Sequence, residues 1–194
     1  MQIEDIISNV QVYGLEESIK RSKYPMSTDT NTCTTEPTKT TYSLGRASVG
    51  SGHDNWLNGV IVQFDLTFTN KAWVEAERYH FLDFVSSQST MHRITKFDLD
   101  KAYIEYTDPL IIKIMQQLVD RYNADPTPEN YLKVLYSNPA GFKITAGMTT
   151  NYRQLKTIYY QRKNHRLPEW QVFCEWITTL PMFKELILNE NSQN

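Results

Sequence analysis

Asn151, Arg153 and Arg162 lie in one polar run, "MTTNYRQLKTIYYQRKNHRLPEWQVFCEW". On a helix, eleven residues make about three turns, so Asn151 and Arg162 point to roughly the same side, with Arg153 offset by two positions. A carboxamide and a guanidinium on one side offer in-plane hydrogen bonds to a flat heterocycle. The same charges would also suit a solvated helix face. Leu155, Ile158 and Tyr159 supply a core-facing stripe, and Asn151 and Arg162 flank it where a cleft edge would run.

A second constellation is "EAERYHFLDFVSSQSTMHR". Glu75, Arg78 and His80 run into a turn carrying Ser87, Gln88 and Ser89 that ends at His92 and Arg93. Arginines beside hydroxyls and free backbone amides fit an anion or phosphate. Glu75 and Arg78, three apart, equally suit a helix-surface ion pair worth a few tenths of a kcal/mol. The third feature is "GSGHDNWLNG", residues 50–59, where His53, Asp54, Asn55 and Asn58 stand between glycines. It reads either as a polar turn before a strand or as a loop that holds a cofactor.

Other chemistries lack their residues. The close pairs His53–Asp54 and His80–Asp83 match no ligand motif, so no metal is expected. There is no GxSxG elbow and no phosphate-binding GxxxxGK[ST] loop. Of the two cysteines, Cys174 in "WQVFCEWI" reads as a small buried hydrophobe and Cys33 lies in a threonine-rich stretch. Neither is expected to be a nucleophile, and the pair suits a reducing cytoplasm. A net charge of −2 argues against nucleic acid as a partner. No apolar run approaches the ~20 residues of a membrane span, and "MQIEDIISNV" has no signal-peptide character. A cytoplasmic location away from membranes is the expectation.

The elements that must position these residues follow from periodicity. The first 25 residues suggest a strand and a short helix, and residues 26–43 a long mobile loop, the candidate lid. "VIVQFDLTF" is a strand, and helical spacing over residues 70–85 places Ala72, Trp73, Ala76, His80 and Phe84 near one face. Residues 109–123 form an amphipathic helix beginning at Pro109, with Ile111, Ile114, Met115, Leu118 and Tyr122 along one side. A shorter helix starts at Pro128 behind a Thr127 cap, and "NPAGFKITAGMTT" is a turn and a strand. Helices follow at about 151–163, 168–179 and 181–188. The fold class is α+β, a small, mainly antiparallel sheet packed with several helices, in one domain over residues 1–194.

Taken in order, the segments resemble the flavin-dependent thymidylate synthases. Gly52-His53 opens the loop where that family has its Gly-His pair, and the strand follows. Arg78-Tyr79-His80 stands at the family's Arg-His-Arg, with Ser89 and Arg93 beyond. Pro139 precedes Asn151 by twelve, "NYRQL" fits NxRxL, and Gln161-Arg162 falls at the following Leu-Arg, before "PEWQVFCEW". The likeness spans roughly residues 50–95 and 135–180. It implies FAD as cofactor, NADPH as reductant, methylenetetrahydrofolate as one-carbon donor and dUMP as substrate, in a homo-oligomer, favoured as a tetramer. By position, His53, Asn55, Arg78, His80, Asn151 and Arg153 would hold flavin. Glu75, Arg78, Ser87, Gln88, Ser89, Arg93 and Arg162 would face the nucleotide, with Arg162 and Arg78 orienting the base.

The departures fall mostly on the nucleotide side. His80 replaces the second arginine, so a permanent charge becomes conditional. Glu75 replaces a glutamine, and a carboxylate there would repel a phosphate. Asn58-Gly59 stands for the loop's closing Glu-His, and Leu135 for an arginine, with Lys133 the nearest cation. The serine-to-arginine spacing is longer by two. The resemblance makes dUMP methylation the default activity; these changes suggest a changed substrate or a lost activity, so its rival is a relative that binds a nucleotide without turnover or modifies another pyrimidine.

Overall fold

Alternation in "IVQFDLTFT" buries Val62, Phe64, Leu66 and Phe68 on one side and makes Ile61–Thr69 an inner strand, β2. The computed structural model describes residues 1–188. In it β2 lies between β1 (Ile7–Tyr13) and β4 (Lys143–Asn151), with β3 (Asp83–Ser87) outside β4. The order is β1-β2-β4-β3 and every pairing is antiparallel, as the α+β reading expects. β2 and β4 pair without a break from Ile61↔Asn151 to Thr69↔Lys143.

That long register fixes where two helices begin. The Thr69 hydroxyl accepts from the Ala72 amide (3.2 Å) and caps α4 (Asn70–Ala76). At the other end of the ladder, Asn151 Oδ1 accepts from the Gln154 amide (2.9 Å) and caps α9 (Tyr152–Arg162). Pro168 opens α10 (Pro168–Ile177), whose Trp170, Phe173 and Trp176 pack on the sheet. Trp176 lies 4.6 Å from the Phe64 ring and Trp170 lies 4.9 Å from that of Phe68. Before the sheet's centre come α1 (Ile3–Ile6), α2 (Leu15–Arg21) and α3 (Lys39–Gly45).

A second hydrophobic cluster gathers Ile94, Met115, Val119, Val134 and Phe142. It joins α6 (Leu99–Ala102), α7 (Pro109–Ala124) and α8 (Pro128–Ser137), with Ile94 directly after α5 (Thr90–Arg93). Asp108 and Thr127 cap α7 and α8, each followed by its proline. On α7 the inward residues are Met115 and Val119, whereas Ile111 and Ile114 stay exposed.

The structure departs from expectation in three places. The helix read over 70–85 stops at Ala76, and the Tyr79 amide turns back to the Ala76 carbonyl (3.0 Å). Residues 83–87 pair with β4 instead, because an open sheet edge outweighs local helical spacing. His80 and Phe84 therefore lie outside the helix and are exposed. Within the stretch read as a loop, α3 starts at Lys39, and before it Lys23 Nζ donates to the Thr34 carbonyl (2.7 Å) and hydroxyl (2.9 Å) and to the Glu36 carbonyl. The last expected helix is a π-helical turn, Lys184–Leu188. Among the described residues no helix is long and apolar enough to cross a membrane.

Candidate functional site

Arg162 ends α9 buried, 6% exposed, with its guanidinium 4.9 Å above the Trp170 ring. Nε donates to the Tyr79 hydroxyl (2.7 Å) and Nη1 to Glu75 Oε2 (2.8 Å). The Tyr79 hydroxyl donates onward to Gln161 Oε1 (3.0 Å). His165 Nε2 reaches the same Glu75 oxygen at 3.1 Å, and Lys71 Nζ reaches Glu75 Oε1 at 3.0 Å. Arg162 Nη2 is buried with no hydrogen-bond partner among the described residues. Glu75 thus neutralises the arginine that the sequence marks for base recognition.

Burial pushes the Glu75 carboxyl upward, but the Lys71 hydrogen bond and the charges of His165, Lys71 and Arg162 outweigh it, holding the group below its ordinary value of 4.5. A carboxyl shifted down stabilises the fold fully above its unfolded value and loses that contribution as the pH falls through the folded one. The urea midpoint of the wild type should therefore drop below pH 4.5 more steeply than that of Glu75→Gln. Parallel pH profiles for the two proteins would contradict the pairing.

A second site lies at the opposite end of α9. Gly50, Asp54 and Asn58 of the glycine-fenced loop, with Val49 just before it, face Phe81, Asn151 and Arg153 across a cleft of 210 Å³. Gly50 and Gly52 hold φ at +86° and +79°, the left-handed region that side-chain-bearing residues rarely enter. Thr150 donates to the Phe81 carbonyl (2.6 Å) and so fixes the 77–82 turn against β4. Arg153 Nε donates to Asp54 Oδ1 (3.0 Å), which leaves its Nη groups for a ligand. Asn151 spends Oδ1 on its cap and keeps its NH₂.

Beneath the cleft, Lys156 and Asp54 form an ion pair at 2.7 Å, both side chains 1% exposed. Lys156 also donates to the carbonyls of Gly45 (3.0 Å) and Ala47, so its three N–H groups are all used. This pair ties the 45–54 segment to α9.

The two ends of α9 are separate. A rise of 1.5 Å per residue puts Asn151 and Arg162 about 16 Å apart, too far for one flat ring to bridge. His53 and Asn55 line neither site. With Arg21, Met26, Leu44 and Trp56 they border a 630 Å³ groove on the other side of the loop. Arg78 and His80 are exposed on the turn that sends Tyr79 to Arg162 and Phe81 to the cleft. Ser87 ends β3, and Gln88 Oε1 accepts from the Thr145 amide (3.0 Å), which extends the ladder by one side chain. Ser89 precedes α5, and Arg93 ends it exposed.

Cys174 is buried, which pushes its thiol up to about 12 against the opposing charge of Arg162. One thiol, Cys33, should react with an aromatic disulfide reagent in the native protein, and the second only in denaturant. Two fast thiols would contradict this packing. Among the described residues no three His, Cys, Asp or Glu side chains gather to hold a metal.

No protein-family model matches the sequence, and a search of curated proteins gives no match. Solved structures do match. The flavin-dependent thymidylate synthase ThyX of Helicobacter pylori, complexed with FAD and dUMP, aligns at a TM-score of 0.68 and 14% identity over 94% of this chain and 98% of that one. A second structure of Thymidylate Synthase X from Helicobacter pylori, with FAD and dUMP, gives 0.69 at 14% identity over the same shares. This chain has the fold of the flavin-dependent thymidylate synthases.

Within the thymidylate synthase fold, several residues that shape the two sites carried no readable sequence signal. Asp54 was legible as a loop residue, but its buried partner Lys156, 102 positions away, appears in sequence as an ordinary surface charge. Tyr79, the middle residue of the Arg-His-Arg position, turns inward to Arg162, and His165 joins Glu75 from beyond the helix end. The substitution of Glu75 for glutamine was legible, but its pairing with Arg162 across 87 positions was not.

Proposed function

We propose that this chain binds a flavin nucleotide and a pyrimidine nucleotide and modifies the latter, with reductive methylation of dUMP to dTMP as the reaction to test first. The observation that carries this reading is the cleft in which Asn151, Arg153 and the glycine-fenced loop converge. Its free donors are the Arg153 Nη groups and the Asn151 NH₂, which suit the phosphates of FAD. A cleft of 210 Å³ takes one end of such a dinucleotide and not the whole, so the remainder would rest on another surface. A homo-oligomer, favoured as a tetramer, would supply it. The exposed Phe84 and Val85 of the edge strand β3, with Phe81 just before it, support such contacts.

Flavin reduced by NADPH supplies hydride chemistry, and methylenetetrahydrofolate would supply the carbon. The chain's own residues would bind and orient: Arg153 and Asn151 the flavin phosphates, Arg78 and His80 the flavin and nucleotide from the adjoining turn. Arg162 would align the base. No nucleophilic cysteine enters the scheme.

A second reading has its own observation. Glu75 occupies Arg162 and sets a carboxylate where a nucleotide would approach, which favours a protein that holds a nucleotide without turnover or accepts a different pyrimidine. Two assays separate the readings: dUMP-dependent NADPH oxidation with added FAD and methylenetetrahydrofolate, and tritium release from C5-labelled dUMP. Turnover in both supports methylation. Tight nucleotide binding with neither supports the second reading.

A further inference from the structure

The start of α10 meets the end of β2 and the 104–111 segment around a cavity of 360 Å³. Its wall is largely apolar, formed by Ile104, Ile111, Pro139 and Leu167. Glu169 also lines it, although the residue is only 2% exposed. Glu169 Oε1 accepts from the Thr69 hydroxyl (2.7 Å), while Oε2 is buried with no hydrogen-bond partner among the described residues. The Thr107 hydroxyl on the same wall is buried and unpartnered too. The other charged lining groups are committed: Lys71 Nζ to Glu75 at 3.0 Å, and Asp108 to the Leu110 amide at 2.8 Å.

We propose that this cavity binds a small organic cation, an ammonium group on an apolar alkyl or aryl body. A carboxylate oxygen accepts and does not donate, so its partner must carry N–H or O–H. An ammonium adds the opposite charge, and its several hydrogens can serve more than one such unpartnered oxygen. The apolar wall receives the body, and the volume matches a single ring with a short chain. None of Asn151, Arg153 and Arg162 lines this cavity, so the inference stands independently of the flavin reading.

Isothermal titration of the full chain with 2-phenylethylammonium, 2-phenylethanol and 3-phenylpropionate tests it. The ammonium should bind saturably at one site, the alcohol about tenfold more weakly or worse, and the carboxylate not at all. Glu169→Gln keeps the side-chain shape and an acceptor for Thr69, and should weaken the ammonium about tenfold while leaving the alcohol unchanged. Ile111→Trp, on the exposed face of α7, should fill the mouth and remove both. The proposal is overturned if the ammonium shows no saturable binding, if Glu169→Gln binds it as well as the wild type, or if Ile111→Trp leaves it unaffected.

Discussion

Lys156→Met is expected to lower the unfolding free energy by about 3–5 kcal/mol and the melting temperature by on the order of 10 °C. The lysine is 1% exposed and shares its pocket with an equally buried Asp54, 2.7 Å away. Methionine fills similar space but leaves the Asp54 carboxylate with only the Arg153 contact at 3.0 Å. It also strips donors from the carbonyls of Gly45 and Ala47. Removing one member of a buried pair is far costlier than the net worth of the pair, because an uncompensated charge remains. Adding Asp54→Asn to Lys156→Met should recover part of the loss. Urea denaturation at pH 7 measures both, and a loss under about 1 kcal/mol for the single variant would show that the site relaxes around the charge. The glycine-fenced loop hangs from this pair, so flavin retention should fall with it.

Glu75→Gln is expected to tighten dUMP binding at least about tenfold, and Arg162→Ala to abolish it. Nη1 of Arg162 is held by Glu75 Oε2 at 2.8 Å, and a charge-assisted bond of that kind is worth roughly 1.5–3 kcal/mol, a factor of about 10 to 150. A nucleotide must compete with it before using the guanidinium, and it brings a phosphate toward a carboxylate. Glutamine removes the charge and keeps an oxygen for Arg162, and Trp170 still supports the guanidinium plane from 4.9 Å. Titration of nucleotide fluorescence displacement, or calorimetry, at pH 7.5 reads the difference. Unchanged affinity in both variants would mean that Arg162 is a packing element of α9 and α10 and that the nucleotide lies elsewhere.

Local rules carried much of the fold. Thr127-Pro128, Pro109 with its apolar stripe, and Pro168 fixed α8, α7 and α10, because caps, first-turn prolines and helical stripes are written within a few residues. Where a distant partner decides, local reading failed. Residues 83–87 have helical spacing behind them and become a strand because β4 offers an edge. The 26–43 stretch reads as loop throughout, yet α3 begins within it at Lys39 behind the Thr38 cap. The sites divide in the same way. The spacing joined Asn151 to Arg162, which stand at opposite ends of α9; Asn151 and Arg153 instead line a cleft with the glycine-fenced loop, while His53 and Asn55 of that loop border a different groove. Gln88, chosen as an anion ligand, extends the β3 ladder with its side chain. Charge pairs such as Glu75–Arg162 and Asp54–Lys156 join elements about a hundred positions apart, and no spacing rule reaches that far.

The most direct test is the visible spectrum of the freshly purified protein, recorded before and after incubation with FAD and desalting, alongside Arg153→Ala. The account predicts oxidised-flavin bands that survive desalting in the wild type and are strongly reduced in the variant, whose fold should be intact by circular dichroism. A wild type that stays colourless and fails to retain added FAD would contradict the flavin reading and leave a thymidylate synthase fold turned to another use.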